Sequence, residues 1–441
     1  MSPEVISLIG ILIGIVLLIW ISFKGVPVMF VAPVCAMIVY ALAGENIMTG
    51  MSTSYMTGFA NFFKNYYLIF FFGAVFGRIM GDSGAAKSIA FAITRFCQKL
   101  PGDTAFWSIA GLIIISSILT YGGISVFVIM FVMVAIGREL FQEQNIPWKM
   151  YGCVCLGSGA YTLTCVPGTP SVNNTIPVQF FGTTPMAAPV ISIIGTLTML
   201  LLGLFYINWE LKRLRKKGEG FLPTGAGILE ASLDKGDKDF EEVPLLLALV
   251  PSICLLIALN VLKFKTWAAI MVAVVVSLIL FHKRLDHPLK TMEEGGVNSL
   301  KSTGVAAFVI AFGSAVGAVP GFQLVVNSLD KIPGPPIVQV MLAVNICAGI
   351  TGSSSGGLTI ALNNLADRFL ATGIHPEVLH RITAVCSGGL DSLPHCGTVV
   401  NSMMVYRINH KMSYKYYFML NTVVPIIASI VMAVCAQMGM V

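Results

Sequence analysis

The sequence predicts an all-α polytopic membrane protein whose two halves share one plan, with about ten transmembrane helices and two re-entrant helical hairpins. Three observations predict it. Hydrophobic residues make up 56% of the 441-residue chain, charged residues 11%, and the mean hydropathy is +0.84, whereas soluble domains carry about 25% charged residues. Glycine-punctuated stretches also recur in the same order. Thr120-Tyr121-Gly122-Gly123-Ile124-Ser125 is answered by Ser354-Ser355-Gly356-Gly357-Leu358-Thr359, 234 residues on (356 minus 122). Ser158-Gly159 is answered by Ser387-Gly388 and Gly168-Thr169 by Gly397-Thr398, both 229 on, and Phe72-Gly73 with Gly77 by Phe312-Gly313 with Gly317, 240 on. Paired broken apolar segments at corresponding places in two halves mark the binding site of secondary transporters. Finally, the Lys and Arg residues segregate strongly between two faces.

Runs of spanning length, about 17 to 25 residues, fall at 5-23, 26-44, 63-80, 147-165, 186-208, 243-262, 301-318 and 416-438, with a shorter one at 266-281 and a broken one at 376-405. The first lacks a basic leader and a small-residue cleavage site, so it reads as a retained span. Segments 104-137 and 335-369 each carry Gly-Gly near the middle. Asp103 to Leu119 as a helix rises only about 25 Å, short of a roughly 30 Å hydrocarbon core. Each segment therefore reads as a hairpin that enters, turns and leaves by the same face. The first half, 1-208, holds the hairpin 104-137 and an unwound span at 147-180; the second, 243-441, holds the hairpin 335-369 and an unwound span at 376-405. The polar, glycine-rich stretch 209-242 reads as a cytoplasmic linker.

Threading this plan with Lys212, Arg213, Arg215, Lys216 and Lys217 inside puts 21 of the 27 basic residues on the inner face and six outside: Lys64, Lys263, Lys265, Lys331, Arg368 and Arg381. That is the asymmetry expected of short cytoplasmic loops. Each half makes an odd number of crossings, so the second enters from the opposite face and the halves are inverted. Both termini then lie on the outer face.

A hairpin tip brings helix ends, free amides and hydroxyls to the middle of the bilayer, where a helix N-terminus favours an anion and irregular backbone survives only if buried or wetted. Thr120, Gly122, Gly123 and Ser125 are the candidates in the first tip. In the second they are Ser353, Ser354, Ser355, Gly356, Gly357 and Thr359, with Asn363 about two turns on. The prolines of Pro167-Gly168-Thr169-Pro170-Ser171-Val172-Asn173-Asn174 cannot continue a helix, nor can the run Ser387 to Thr398. Freed amides and the side chains of Gly168's neighbours Thr169, Ser171 and Asn173, together with Thr398, are candidates for holding a carboxylate, and carbonyls near Gly168 and Gly397 for a cation. Asp391 and His395 are the ionisable side chains left near the midplane, and such residues inside a membrane are functional by default. Their four-residue spacing pairs them if the helix holds through Pro394, and they are the candidates for ion coupling. His282, His287, His375, His380 and His410 fall at interfaces or in loops, and no Lys or Arg falls near the site.

Gly373-Ile374-His375-Pro376-Glu377-Val378-Leu379-His380-Arg381 followed by Ser387-Gly388-Gly389-Leu390-Asp391-Ser392-Leu393-Pro394-His395 resembles the gluconate permease (gluconate:proton symporter) family, as do Phe72-Gly73 to Gly84 and Pro167-Gly168-Thr169-Pro170. The resemblance spans essentially the whole chain. It implies proton-coupled uptake of gluconate, related sugar acids or 3-hydroxybutyrate through the bacterial inner membrane. Membership of the wider ion transporter superfamily implies a homodimer and an elevator-type motion of a domain carrying both hairpins. Cys396 stands where the family commonly has Asn, and Ser392 where it has Thr. The lost amide shifts the expectation to a small hydroxy-monocarboxylate such as 3-hydroxybutyrate, with gluconate next.

Sodium is the alternative coupling ion. An intramembrane aspartyl hydrolase needs two carboxylates sharing a proton, and Asp391 has no midplane companion; a passive anion channel needs rings of like groups. The ten cysteines show neither disulfide nor metal spacing. No enzyme activity, cofactor, metal or nucleic-acid partner is expected; the expected partners are a small carboxylate, a coupling ion, lipid and a second copy.

Overall fold

Helix is the only regular structure among the described residues, as expected where the surroundings offer the backbone no hydrogen bonds and each segment must satisfy its own. The computed structural model describes residues 1–122, 124, 126–230, 242–329 and 333–441, apart from the side chains of 259, 260 and 302. Among these residues seven helices are long and apolar enough to cross a membrane, and three shorter ones are apolar. The protein is thus a multi-pass helical membrane protein.

The first half runs α1 (Pro3–Phe23), α2 (Val28–Ala43), α3 (Ile47–Asp82), α4 (Ala85–Cys97), the arms α5 (Thr104–Tyr121) and α6 (Val126–Glu143), a broken segment, α7 (Val172–Phe181) and α8 (Pro189–Lys216). The second runs α9 (Leu245–Asn260), α10 (Thr266–Phe281), α11 (Pro288–Ala318), α12 (Pro320–Ser328), the arms α13 (Pro336–Thr351) and α14 (Ser354–Ala371), α15 (Pro376–Ser387), a break, α16 (Gly397–Val405) and α17 (His410–Gln437). The order of long, short, paired and broken pieces is the same in both.

Packing partners correspond as well. α3 and α11 pack against each other from Gly58 with Ser314 to Val75 with Gly295, and α1 packs on α2 as α9 packs on α10. α2 lies against α11 as α10 lies against α3, and α12 against α1 as α4 against α9. The last two contacts use the same device: Ser7 Oγ accepts from the Gly321 amide at 2.9 Å, and Ser88 Oγ from the Val243 amide at 2.8 Å. Between α3 and α11 a Cβ on Gly295 would stand 2.8 Å from Val75 Cα, so a small residue is what lets the two backbones meet.

Several boundaries differ from the sequence reading. The helices around runs 63-80 and 301-318 begin at Ile47 and Pro288, and the hairpin expected to end at 137 continues to Glu143. α8 continues to Lys216, so the polar linker starts beyond it, and residues 231–241 of that linker lie outside the described part. The run 147-165 is no single α-helix. It folds as a 3₁₀ stretch (Trp148–Val154), a π-turn (Leu156–Tyr161) and one α-turn (Thr162–Thr164). There a Cβ on Gly157 would lie 2.4 Å from the Ile113 carbonyl oxygen, so contact with α5 dictates the local geometry. The short helices α4 and α12 had no counterpart in the sequence reading.

Several of the described basic residues assigned to one face come together at one end of the bundle, Arg78, Arg138, Lys301 and Arg407 around a single cavity. Arg215 pairs with Asp103 at 2.5 Å and Arg78 with Glu294 at 2.5 Å, while Lys149 pairs with Glu219, Lys415 with Glu210 and Arg95 with Glu242. Trp148 Nε1 donates to the Tyr406 carbonyl at the same end (2.8 Å). Arg381 does not follow the outer-loop assignment: it is fully buried.

Candidate functional site

The second hairpin turns at Gly352, whose φ of +62° is a left-handed conformation that favours glycine. Ser353 then caps α14, its hydroxyl accepting from the Gly356 amide at 3.2 Å. A Cβ on Gly357 would lie 2.3 Å from Ala348 Cα, so the two arms close backbone to backbone. The tip rests on the break between α15 and α16. His395 Nε2 meets the Gly349 carbonyl at 3.0 Å, and a Cβ on Gly352 would come within 3.1 Å of the His395 ring. A carbonyl only accepts, so Nε2 carries the proton and Nδ1 is the acceptor in the neutral ring. Nδ1 is buried and, among the described residues, without a partner.

Asp391 is 7% exposed; Ser392 Oγ donates to it at 3.0 Å, and the Ser354 hydroxyl of the tip lies near the same carboxylate. Among the described residues it forms no ion pair with Lys, Arg or His. The pairing of Asp391 with His395 is not formed: α15 ends at Ser387, so neither residue lies on a helix, and each group bonds elsewhere. His410 does not lie in a loop either, because its Nε2 reaches the Pro394 carbonyl at 2.7 Å and buries the ring.

In the first half Gly168 adopts φ +79° and donates to the Pro185 carbonyl at 2.9 Å. Ser171 caps α7 by accepting from the Asn174 amide at 3.2 Å and donates to the Leu163 carbonyl at 2.5 Å. Thr169 donates to the Val166 carbonyl at 2.9 Å. The tip of the first hairpin meets this break: Ser117 Oγ and Tyr161 OH are 2.5 Å apart, and a Cβ on Gly168 would approach the Tyr121 hydroxyl to 3.1 Å.

The two breaks are joined directly. Asn173 Nδ2 donates to Ser387 Oγ at 2.7 Å, and a Cβ on Gly388 would stand 2.9 Å from Thr164 Cγ2. Each outer arm also packs on the far piece of the other half's broken span, α14 on α7 and α6 on α16. The interruptions thus meet in the interior.

Arg381 was missed by sequence reasoning, which left no cation near the site. Its guanidinium donates to the carbonyls of Thr164 (3.4 Å), Pro185 (2.9 Å) and Ala187 (3.0 and 3.2 Å) and to Asn174 Oδ1 (2.8 Å). His380 beside it, expected at an interface or in a loop, lies on α15 and is buried between Asn174 Oδ1 (3.1 Å) and the Thr183 hydroxyl (2.6 Å). A buried guanidinium with no carboxylate partner among the described residues is tolerated here because unwound backbone supplies oxygen acceptors. The conjunction of Asn173-Asn174 with His380-Arg381 was the only sequence signal for it.

Further polar atoms are buried without partners near the breaks, among the described residues: Asn345 Oδ1, which a Cβ on Gly389 would touch at 2.1 Å, Asn421 Oδ1 and Thr422 Oγ1 on the π-turn of α17, and Thr162 Oγ1 on the broken span. Buried polar groups are normally paired, so this cluster is where an acid or water finds hydrogen bonds. None was singled out from sequence, although polar side chains in apolar runs are the available signal.

The remaining expected residues divide. Thr120 and Thr359 donate their hydroxyls to Ser116 and Ser355 carbonyls of their own helices (2.9 and 2.8 Å). Ser353, Ser354, Ser355, Gly356 and Thr398 are half-buried, while Asn363 is exposed on α14. Gly122 ends α5, with a Cβ there meeting Leu256 at 2.9 Å. Gly123 and Ser125 lie outside the described residues. All ten cysteines are free thiols.

No protein-family model matches the chain. Over 99% of its length and the whole of the relative, the chain is 29% identical to Uncharacterized transporter YxjC of Bacillus subtilis (strain 168). A relative named as a transporter, together with the spanning helices, supports transport across a membrane as the general activity.

Proposed function

We propose that this protein is a secondary active symporter of the inner membrane that takes up a small hydroxy-monocarboxylate with a proton, 3-hydroxybutyrate ahead of gluconate. One observation carries the reading: two hairpin tips and two broken spans converge, and they enclose a carboxyl group, Asp391, that has no cation partner among the described residues. In this reading the amides and hydroxyls at Ser353 to Gly357 and Gly168 to Asn173 hold the substrate's carboxylate. The open Nδ1 of His395 accepts from the substrate's hydroxyl or carries a proton.

Proton coupling is favoured over sodium by the state of the freed carbonyls. Arg381 already engages those of Thr164, Pro185 and Ala187, and the Pro394 carbonyl accepts from His410 and that of Ser392 from Tyr414. A sodium ion would compete with these donors for the oxygens and meet the positive charge of the guanidinium. The corresponding elements of the two halves support an inverted repeat, and the resemblance to gluconate permeases supports a homodimeric elevator.

The test is uptake of labelled 3-hydroxybutyrate into proteoliposomes. An inward proton gradient drives accumulation and a sodium gradient alone does not. If neither gradient concentrates 3-hydroxybutyrate, lactate or gluconate, the reading fails.

A further inference from the structure

At the basic end of the bundle a cavity of about 140 Å³ opens between α3, α6, α11 and α16. That volume is roughly the share of five waters. Arg78, Arg138, Lys301 and Arg407 line it, against one lining carboxylate, Asp82. Two further carboxylates touch these cations from outside: Arg78 pairs with Glu294 as well as Asp82, and Arg138 with Glu139. Among the described residues Lys301 and Arg407 pair with no carboxylate; Arg407 donates to Asn298 Oδ1 at 3.3 Å. Arg407 sits at φ +54°, a conformation rare for a side chain of this size, so the turn after α16 holds it at the mouth.

The cavity lies on the line from the breaks to this end. α16 starts at Gly397 in the second break and reaches the cavity at Met404, seven residues or about 10 Å later. Between them Asn401 is fully buried with Oδ1 unpartnered among the described residues and Nδ2 against the Met130 sulfur at 3.4 Å. A buried amide left open at this depth wants a polar visitor. Phe131, next to Met130 on α6, forms the inner wall of the cavity.

We propose that this cavity is a second binding site for a small organic carboxylate, a station between the helix breaks and the basic face, with Lys301 and Arg407 as its anion-holding residues. The ligand class rests on the transport reading, but binding here does not require transport. Cations without a carboxylate partner at a partly enclosed mouth attract an anion, and the Phe131 and Met404 wall accepts its alkyl end.

The experiment uses the purified full chain with Phe131→Trp as a reporter, read against the parent's own tryptophans. Sodium 3-hydroxybutyrate is the probe and sodium chloride at equal ionic strength the control. The expected result is a saturable fluorescence change, at least about tenfold weaker in affinity when Lys301→Gln and Arg407→Gln are added, and restored by Lys301→Arg with Arg407→Lys. No saturable change, an equal response to chloride, or an affinity unmoved by the double glutamine variant overturns the proposal. Should the cavity respond as expected while proteoliposomes show no uptake, the site stands and the symporter reading falls. Active uptake without a cavity signal removes the second site and leaves the symporter reading in place.

Discussion

Replacing Arg381 by methionine removes a fork whose donors reach three backbone carbonyls and one amide oxygen. The loss is uneven. The Pro185 carbonyl keeps the Gly168 amide (2.9 Å) and Asn174 Nδ2 (3.0 Å), and Asn174 Oδ1 keeps His380 (3.1 Å). The Ala187 carbonyl is left with a Ser192 hydroxyl at 3.3 Å, and Thr164 loses its donor from outside the helix. Two weakened buried acceptors cost about 1–3 kcal/mol each, while deleting a buried cation recovers part of its desolvation. The net expectation is a destabilisation of about 3 kcal/mol, or roughly 3 °C in Tm for a chain of this length. Because eight of the ten thiols are buried, a maleimide dye that reports their exposure follows unfolding in detergent. Arg381→Lys falls between, since an ammonium keeps the charge and loses the planar fork. A methionine variant that unfolds at the parental temperature refutes the argument that this guanidinium holds the first break together.

Other outcomes follow from the same geometry. Asp391→Asn abolishes concentrative uptake but leaves exchange of substrate across proteoliposomes; unchanged accumulation rules out a proton role for that carboxyl. Asn173→Ala and Ser387→Ala each lower Tm, and their double-mutant cycle returns a coupling of about 1 kcal/mol; additive effects mean that the bond between the breaks does not form. Gly352→Ala combines a left-handed φ with a Cβ facing His395, costing about 1–2 kcal/mol, and lowers uptake more than a Gly373→Ala control at φ +77° in open space. Equal uptake in the two variants separates the tip from the histidine. Gly357→Leu splays the second hairpin and costs about 1–3 kcal/mol by overpacking, read as lost uptake with retained expression; parental uptake shows that the arms do not close.

Local chemistry made much of the fold legible. Long apolar runs in a chain with few charges fold as helices in lipid, and Pro167 with Pro170 around Gly168, and Gly388-Gly389 with Pro394 after Ser387, favour a break in one. Both interruptions are therefore visible in the chain, whereas the second hairpin turns at Gly352 and not at Gly356-Gly357, which lie in the first turn of α14. The polar lengths of α3 and α11, and the short helices α4 and α12, were not, because their helicity comes from packing against partners far away in the chain, as in Arg78 with Glu294 and Gly321 with Ser7.

The sequence by itself determined that this is a helical membrane protein with two matched pairs of breaks and an acid, Asp391, inside one of them. Only the tertiary structure decided which groups those breaks leave open. Arg381 reads in the chain as a loop cation, yet it is drawn inside by carbonyls that the first break releases, and Asn363 reads as a site residue but faces outward. Hydrogen-bond satisfaction inside a protein is settled between distant segments, whereas clustered prolines and glycines mark from the chain itself where a break is favoured.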